Sequence, residues 1–365
     1  LYTKTDFSLG NQTEYIYYGI VPAKLYRYNV TDGSNRNSRW QLQSSANRSL
    51  LTIVAANDNT NIKVYDLTLG KSEIRQLNTL ERYSLLLANG TFFKVVSDKI
   101  VSVLLLNTQS IPTSNDTSGP LPHTFYTSTD GLYVGKEFVF MASQYITDVY
   151  YSILALEKAT VTVTKDDGTI LTTLSLEANL YKTLMLSSFR NYKITSTGNI
   201  MVQSGGADLP YLGGDCHCFA VPSAKGGFVG TFFLTRSVPN WDLKMDFGYR
   251  VSSTEDTTVK VFDLETKKLI TQLSVKGGSG VAFKPSANAI AVQSDKPITL
   301  SLIHNGSIEQ SKPAAGGNPT YGIYSGYSEG ITFVGVRPNV ETEIYLPVNA
   351  QNNVFFFASE DTQVT

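Results

Sequence analysis

Cys216-His217-Cys218 is the only place in the 365-residue chain where soft metal ligands cluster. With Asp215 beside them, thiolate and imidazole donors suit zinc or copper. A tetrahedral zinc site takes about four ligands, and this tripeptide supplies too few in a cramped local arrangement. The other histidines, His123 and His304, sit in corresponding stretches of an internal repeat. They would meet the cysteines only near a common axis or at a contact between subunits. The expectation is therefore a local Cys216–Cys218 disulfide or two buried thiols, with metal binding by Cys216, His217 and Cys218 and nucleophilic chemistry as weaker alternatives.

Carboxylates recur at one place in the repeat, at Asp58, Glu157, Glu255-Asp256 and Glu360-Asp361. Calcium needs six to eight converging oxygens, and no Asp-x-Asp-x-Asp ladder is present. Asp and Asn satisfy backbone donors in turns, so these read as strand connections. A glycosidase needs a distinct carboxylate pair, whereas these carboxylates are repeated siblings. Trp241, Asp242 and Asp246 do break the repeat, in the segment 237–246, which reads as a surface loop rather than a sugar site. Glycine-rich stretches at 226–227, 277–280 and 316–317 lack the Lys-Ser/Thr continuation of a phosphate loop. Neither a Gly-x-Ser-x-Gly elbow nor a His-Glu-x-x-His pair occurs. The chain is expected to be non-catalytic and to need no cofactor.

Net charge is −1 with 17% charged residues, against about 25% in ordinary soluble domains. No Lys/Arg-rich run exists to follow a nucleic-acid backbone, and no stretch approaches the roughly 20 apolar residues of a membrane span. Tyr and Phe number 21 and 18, residue types that suit pleated, half-buried surfaces. Two cysteines cannot build a disulfide framework. Glycosylation sequons stand at Asn11, Asn29, Asn47, Asn89, Asn115 and Asn305. That count is close to chance for a chain so rich in Asn, Ser and Thr, but five fall in the first third, near turns. They favour an extracellular address mildly. A secreted product would be numbered here from its mature start.

These residues are positioned by short β-branched or aromatic runs, punctuated by Gly, Asn, Asp, Ser and Pro, with almost no helical periodicity. The pattern repeats about every 100 residues. Leu51-Thr-Ile-Val-Ala-Ala-Asn-Asp-Asn-Thr-Asn-Ile-Lys-Val-Tyr-Asp66 returns as Tyr249-Arg-Val-Ser-Ser-Thr-Glu-Asp-Thr-Thr-Val-Lys-Val-Phe-Asp263. Ser97-Asp98-Lys99 returns as Ser294-Asp295-Lys296, with a weaker middle copy marked by Ser196-Thr-Gly-Asn199. The copies run approximately 1–120, 121–220, 221–320 and an incomplete 321–365, which suggests that the native protein continues beyond Thr365.

Within a copy the order is constant. An apolar strand (50–55, 151–156, 354–358) is followed by an acidic or Asn turn. An alternating strand comes next, at Ile62-Lys-Val-Tyr, Val161-Thr-Val-Thr and Val259-Lys-Val-Phe, with a further one expected at Val364. A hairpin and a returning strand follow, as at Lys165-Asp-Asp-Gly168, where Asp-Gly supplies the positive φ of a tight turn. Two more strands (92–96 with 100–106, 192–195 with 200–203, 289–293 with 298–303) precede an aromatic strand at His123-Thr-Phe-Tyr, Cys216-His-Cys-Phe and Tyr321-Gly-Ile-Tyr. Strands opening the next copy are expected after Gly135, Gly230 and Gly330.

About eight strands per copy, or two sets of four, match the size of two propeller blades. The expected fold is all-β, with repeated antiparallel four-stranded sheets arranged as a six- to seven-bladed β-propeller. The alternative is a row of tandem β-sandwich domains of about 100 residues.

Thr254-Glu-Asp-Thr-Thr-Val259, Ser294-Asp-Lys-Pro-Ile298, and Asp215-Cys-His-Cys-Phe-Ala-Val-Pro222 with Gly230-Thr-Phe-Phe form a set of phrases that resembles the IgG Fc-binding protein N-terminal domain family. The resemblance runs from about residue 50 to 365. It implies a secreted or surface-displayed, non-catalytic module of large extracellular proteins. The chain has far fewer cysteines than the animal members, so IgG binding is not carried over. Its low charge and abundant Thr, Tyr and Asn look more like archaeal or bacterial surface-layer and filament proteins.

The expected function is that of a non-catalytic extracellular surface protein, a structural subunit of a surface layer or filament. An adhesin or lectin-like module binding glycans or a protein partner is the alternative. Expected partners are further copies of itself, other surface proteins or glycans, with no nucleic acid. The aromatic run Tyr15-Ile-Tyr-Tyr18, followed by Leu25-Tyr-Arg-Tyr28, is expected to pack on its own domain as an opening strand, with strand exchange into a neighbour as the alternative.

Overall fold

A computed structural model describes residues 14–21, 27–28, 40–41, 48–88, 90–106, 123–126, 133–142, 149–187, 189–204, 220–226, 228–236, 245–308 and 324–333. Among them every regular element is a strand and every strand pair is antiparallel. The all-β, antiparallel expectation therefore holds.

Copy one contains β1 (Tyr15–Ile20), a small pair β2 (Arg27–Tyr28) and β3 (Trp40–Gln41), β4 (Arg48–Ala55) and β5 (Thr60–Asp66). β6 (Lys71–Leu77), β7 (Arg82–Ala88), β8 (Phe92–Ser97), β9 (Val101–Leu106) and β10 (His123–Tyr126) complete it. Two four-stranded sheets result, ordered β1-β8-β5-β6 and β10-β9-β4-β7. The members of each sheet are interleaved in sequence rather than consecutive. The run Tyr15-Ile-Tyr-Tyr18 lies in β1 and pairs with β8 of its own copy, as the internal reading expects.

Copy two repeats this with β11 (Val134–Met141), β12 (Val149–Ala155), β13 (Ala159–Lys165), β14 (Ile170–Leu176), β15 (Tyr181–Leu186) and β16 (Asn191–Ser204). The two strands expected at 192–195 and 200–203 are one continuous strand. β16 pairs with β13 through its first half and with β12 through its second, and β11 pairs along both, with a register shift between Gly135 and Glu137. Copy three has β17 (Gly230–Arg236), β18 (Met245–Ser253), β19 (Thr257–Asp263), β20 (Leu269–Val275), β21 (Ser279–Phe283) and the long β22 (Ala289–Ile308), flanked by β23 (Tyr324–Phe333). Because β16 and β22 each serve both strand groups, the sheets of copies two and three curl back on themselves. Gly330 lies inside β23, paired with Ile303, rather than opening a further strand.

Strand formation follows from period-two patterning. In β5 the residues Ile62 and Val64 are buried while Asn61 is exposed, and Val161/Val163 and Val259/Val261 repeat the arrangement. Each copy has one apolar cluster drawn from both strand groups. Copy one combines Ile62, Val64 and Phe93 with Leu51, Ile53 and Val103. Copy two combines Val161, Val163 and Ile194 with Tyr151, Ile153 and Val202. Copy three combines Val259, Val261 and Val292 with Tyr249, Val251 and Leu300. Truncating a side chain such as the fully buried Ile153 to alanine would cost about 2–5 kcal/mol.

The turns repeat as faithfully as the strands. Left-handed residues occur at Leu80, Asn179 and Gly278, each 99 positions after the last. Gly90 and Phe189 form another such pair. Three different residue types hold the first position, so tertiary context imposes the backbone there, and only glycine adopts it without steric cost.

Candidate functional site

Cys216, His217 and Cys218 lie outside the described residues, as do Glu360, Asp361, Trp241, Asp242, Val364 and the sequon residues Asn11, Asn29, Asn47, Asn89 and Asn115. Beyond Cys218, Ala220 bridges to Gln203. Asn305 is in β22, paired on one side with Asp246 and on the other with Ser328. Asp246 therefore belongs to β18 rather than to a surface loop. His304 lies in β22 and pairs with Phe247 and Glu329, whereas His123 lies in β10 and pairs with Leu106, so the two sit on neighbouring strands of the repeat rather than in the corresponding stretches expected. Among the described residues no group of three or more His, Cys, Asp or Glu is placed to hold a metal.

The acidic turns are structural. The Asp58 carboxylate accepts from the Thr79 backbone N–H at 2.9 Å and from its hydroxyl at 2.7 Å. The backbone bond, then the hydroxyl bond, hold its pKa below the ordinary 3.8. In copy three Asp256 accepts from the Gly277 N–H at 2.7 Å. Copy two ties the same two turns with an exposed Lys158–Glu177 ion pair at 2.7 Å, and its Glu157 accepts from Asn199. The Asp58, Asp256 and Lys158–Glu177 contacts fasten the turn before the alternating strand to the turn after the returning strand, while Glu157 reaches β16.

The most developed polar geometry lies where one copy meets the next. β1 is an edge strand, and an edge leaves backbone N–H and C=O groups unpaired. The Gln203 side chain, fully buried in copy two, supplies both partners to one residue of that edge. Its Nε2 donates to the Ile20 carbonyl at 2.9 Å, and its Oε1 accepts from the Ile20 N–H at 3.3 Å. A side-chain amide can do this because it carries a donor and an acceptor side by side. Around this clamp Tyr181 of copy two stacks edge-on against Phe92 of copy one, centroids 6.4 Å apart, and its hydroxyl donates to the Gly90 carbonyl. Leu154, Met201 and Ala220 of copy two join the core of copy one.

The same faces meet between copies two and three, with different chemistry. Asn191 Nδ2 donates to the Gly280 carbonyl at 2.9 Å, and the Arg250 guanidinium lies over the Phe189 ring at 5.9 Å. Pairing registers show that Thr52, Ser152 and Arg250 are equivalent, opposite Ser84, Thr183 and Ala282. They occupy the outer face of the β4, β12 and β18 sheets. That face is apolar and glutamine-clamped in the first junction and polar in the second. No signal in a single strand announces this, since Gln203 and Ser152 read as ordinary outward positions.

A second charged cluster lies in copy two. Glu137 pairs with Lys193 at 2.9 Å and with Lys225 at 2.8 Å. Burial alone would raise its pKa, but the hydrogen bonds and charges of Lys225 and Lys193 outweigh this and hold it below the ordinary 4.5. Lys193 borders copy three, where its stem lies beside Gly278. In copy three, burial raises the pKa of Tyr249, partly offset by its hydrogen bond with Thr235. Both groups sit in packed surroundings.

Among the described residues no helix is long and apolar enough to cross a membrane. Comparison with protein-family models, with curated proteins and with solved structures returns no match.

Proposed function

We propose that the chain is a non-catalytic extracellular surface protein, a structural subunit of a surface layer or filament. In this reading each copy is a two-layer β-sandwich rather than a pair of propeller blades. Interleaved strand order and one shared core per copy support the sandwich, because propeller blades are successive four-stranded sheets around a central channel. Relatedness to the IgG Fc-binding N-terminal domain family rests on the turn phrases quoted above and points to the same extracellular setting.

The observation that carries the proposal is the buried end-to-face contact centred on Gln203. It locks successive copies into an array instead of leaving them on flexible linkers. Load-carrying arrays need such junctions, whereas a row of independent binding modules does not. Negative-stain micrographs of native or purified protein test this, with ordered sheets or filaments as the expected result. Dispersed particles that enrich glycans on an array would favour the adhesin reading instead. Zinc titration with mass spectrometry, under reducing and non-reducing conditions, separates a Cys216–Cys218 disulfide from a metal site. Intact mass before and after deglycosylation reads the occupancy of the sequons.

A further inference from the structure

We propose that strand β6 pairs antiparallel with β6 of a second molecule of this chain, centred on Ile74, so that two four-stranded sheets become one of eight. The inference rests on the polymer-subunit reading and names one contact of it.

Three equivalent edges carry the argument. Among the described residues β6, β14 and β20 each end a sheet, beside the alternating strands β5, β13 and β19. An edge is a template for a further strand unless something blunts it, and a bulge does so by bending the strand and breaking the ladder. β14 and β20 are blunted in this way. Each has an extra residue where its register shifts, Leu171 in one and Ile270 in the other. β6 has no such shift, and its seven residues pair one to one with β5. Its central residue, Ile74, is 64% exposed, whereas the equivalent positions of copies two and three are the polar Thr173 and Gln272. The opposite edge of the same sheet is already engaged, since Gln203 takes both backbone groups of Ile20 in β1.

The sequence of β6, Lys71-Ser-Glu-Ile-Arg-Gln-Leu77, selects both the occupant and the register. Turned end for end about Ile74, the strand sets Glu73 of each molecule opposite Arg75 of the other, with the two Ile74 side chains abreast. Opposite charges directly across an antiparallel pair stabilise it, and like charges oppose it. Centring the pair on Glu73 or on Arg75 instead would set like charges opposite each other. β14 and β20 contain no charged residue, so this complementarity is peculiar to β6. Within one molecule Arg75 occupies both groups that a second strand would address. Its Nη2 pairs with Glu73 at 3.0 Å, and its Nη1 donates to the Ile74 carbonyl at 2.8 Å. In the dimer the two Ile74 residues exchange backbone hydrogen bonds across the axis, and each guanidinium turns to the other molecule's Glu73. Antiparallel pairing also brings Leu69 of one molecule towards Leu80 of the other, both 63% exposed. A surface that meets itself makes an isologous contact, which closes as a dimer.

Sedimentation velocity of the purified chain over a concentration series, with micrographs of the same samples, tests the pairing. Thermal melts report whether each variant is folded. Ile74→Lys sets like charges at the axis and is expected to weaken association by about tenfold or more. Thr173→Lys, at the equivalent edge position of copy two, is expected to leave it unchanged. Glu73→Lys and Arg75→Glu each create two like-charged pairs per dimer, and each should weaken self-association. Mixed together, those two chains should form a heterodimer, because position 73 of each then faces an opposite charge at position 75 of the other. Failure of the mixture to associate would overturn the register and with it the proposal. A dimer indifferent to Ile74→Lys, or one equally sensitive to Thr173→Lys, would overturn it too. Ordered polymers that survive Ile74→Lys unchanged would remove the pairing and leave the subunit reading intact. A variant-sensitive dimer that never orders would do the opposite, and a monomer at every concentration would remove both.

Discussion

Phe92 and Tyr181 meet edge-on across the first junction, and the residues at the equivalent positions of the second junction, Asn191 and Gly280, meet through an amide-to-carbonyl hydrogen bond. One geometry is thus held by an aromatic contact in one place and by a polar contact in another. The glycine is required by space. A Cβ on Gly280 would lie 2.6 Å from the Val251 carbonyl oxygen, 2.7 Å from the Ser252 hydroxyl and 3.1 Å from Asn191 Oδ1. Gly280→Ala is therefore expected to destabilise the protein by about 1–3 kcal/mol through overpacking, read as a lower midpoint in urea unfolding. An unchanged midpoint would show that the junction yields freely.

Gln203→Leu keeps the side-chain volume and removes both bonds to Ile20. The buried N–H and C=O of that residue would then be unpaired, at about 1–3 kcal/mol for each group. Faster hydrogen exchange at the Ile20 amide should accompany the stability loss. Protection equal to that of wild type would mean that β1 does not depend on the clamp.

Stability should depend on pH through Glu137. Its folded pKa lies below the ordinary 4.5, so its contribution is present above that value and fades as pH falls through the lower, folded pKa. The difference in melting temperature between wild type and Glu137→Gln should accordingly be largest at neutral pH and shrink in acid. A difference that grows in acid would reverse the assignment.

Leu80 holds a left-handed backbone, φ 63°, with its side chain 63% exposed. Copy three places Gly278 at the same point. Relief of the left-handed strain, about 1 kcal/mol for a residue with a Cβ, is expected to make Leu80→Gly more stable in spite of the added freedom of the unfolded chain. Chemical denaturation curves of the two proteins decide it, and a clear loss of stability would show that the leucine side chain makes a contact that outweighs the strain.

The sequence by itself determined the β class, the period of the repeat and which residues face inward. Side chains alternate strictly along a strand, so Ile62/Val64, Val161/Val163 and Val259/Val261 declare a buried face without reference to any partner. It also placed the acidic turns, whose chemistry is local. Partner choice came only with the tertiary structure, because alternation names a face but not a neighbour. That is why two strand groups could be counted while their interleaving, and the fusion of 192–195 with 200–203 into β16, could not. The edge strands β7, β15 and β21 escaped notice since residues such as Leu86 and Met185 point outward and blur the alternation. The junctions were least legible of all. Gln203 is buried only because Ile20, 183 residues away in sequence, needs the donor and acceptor it carries.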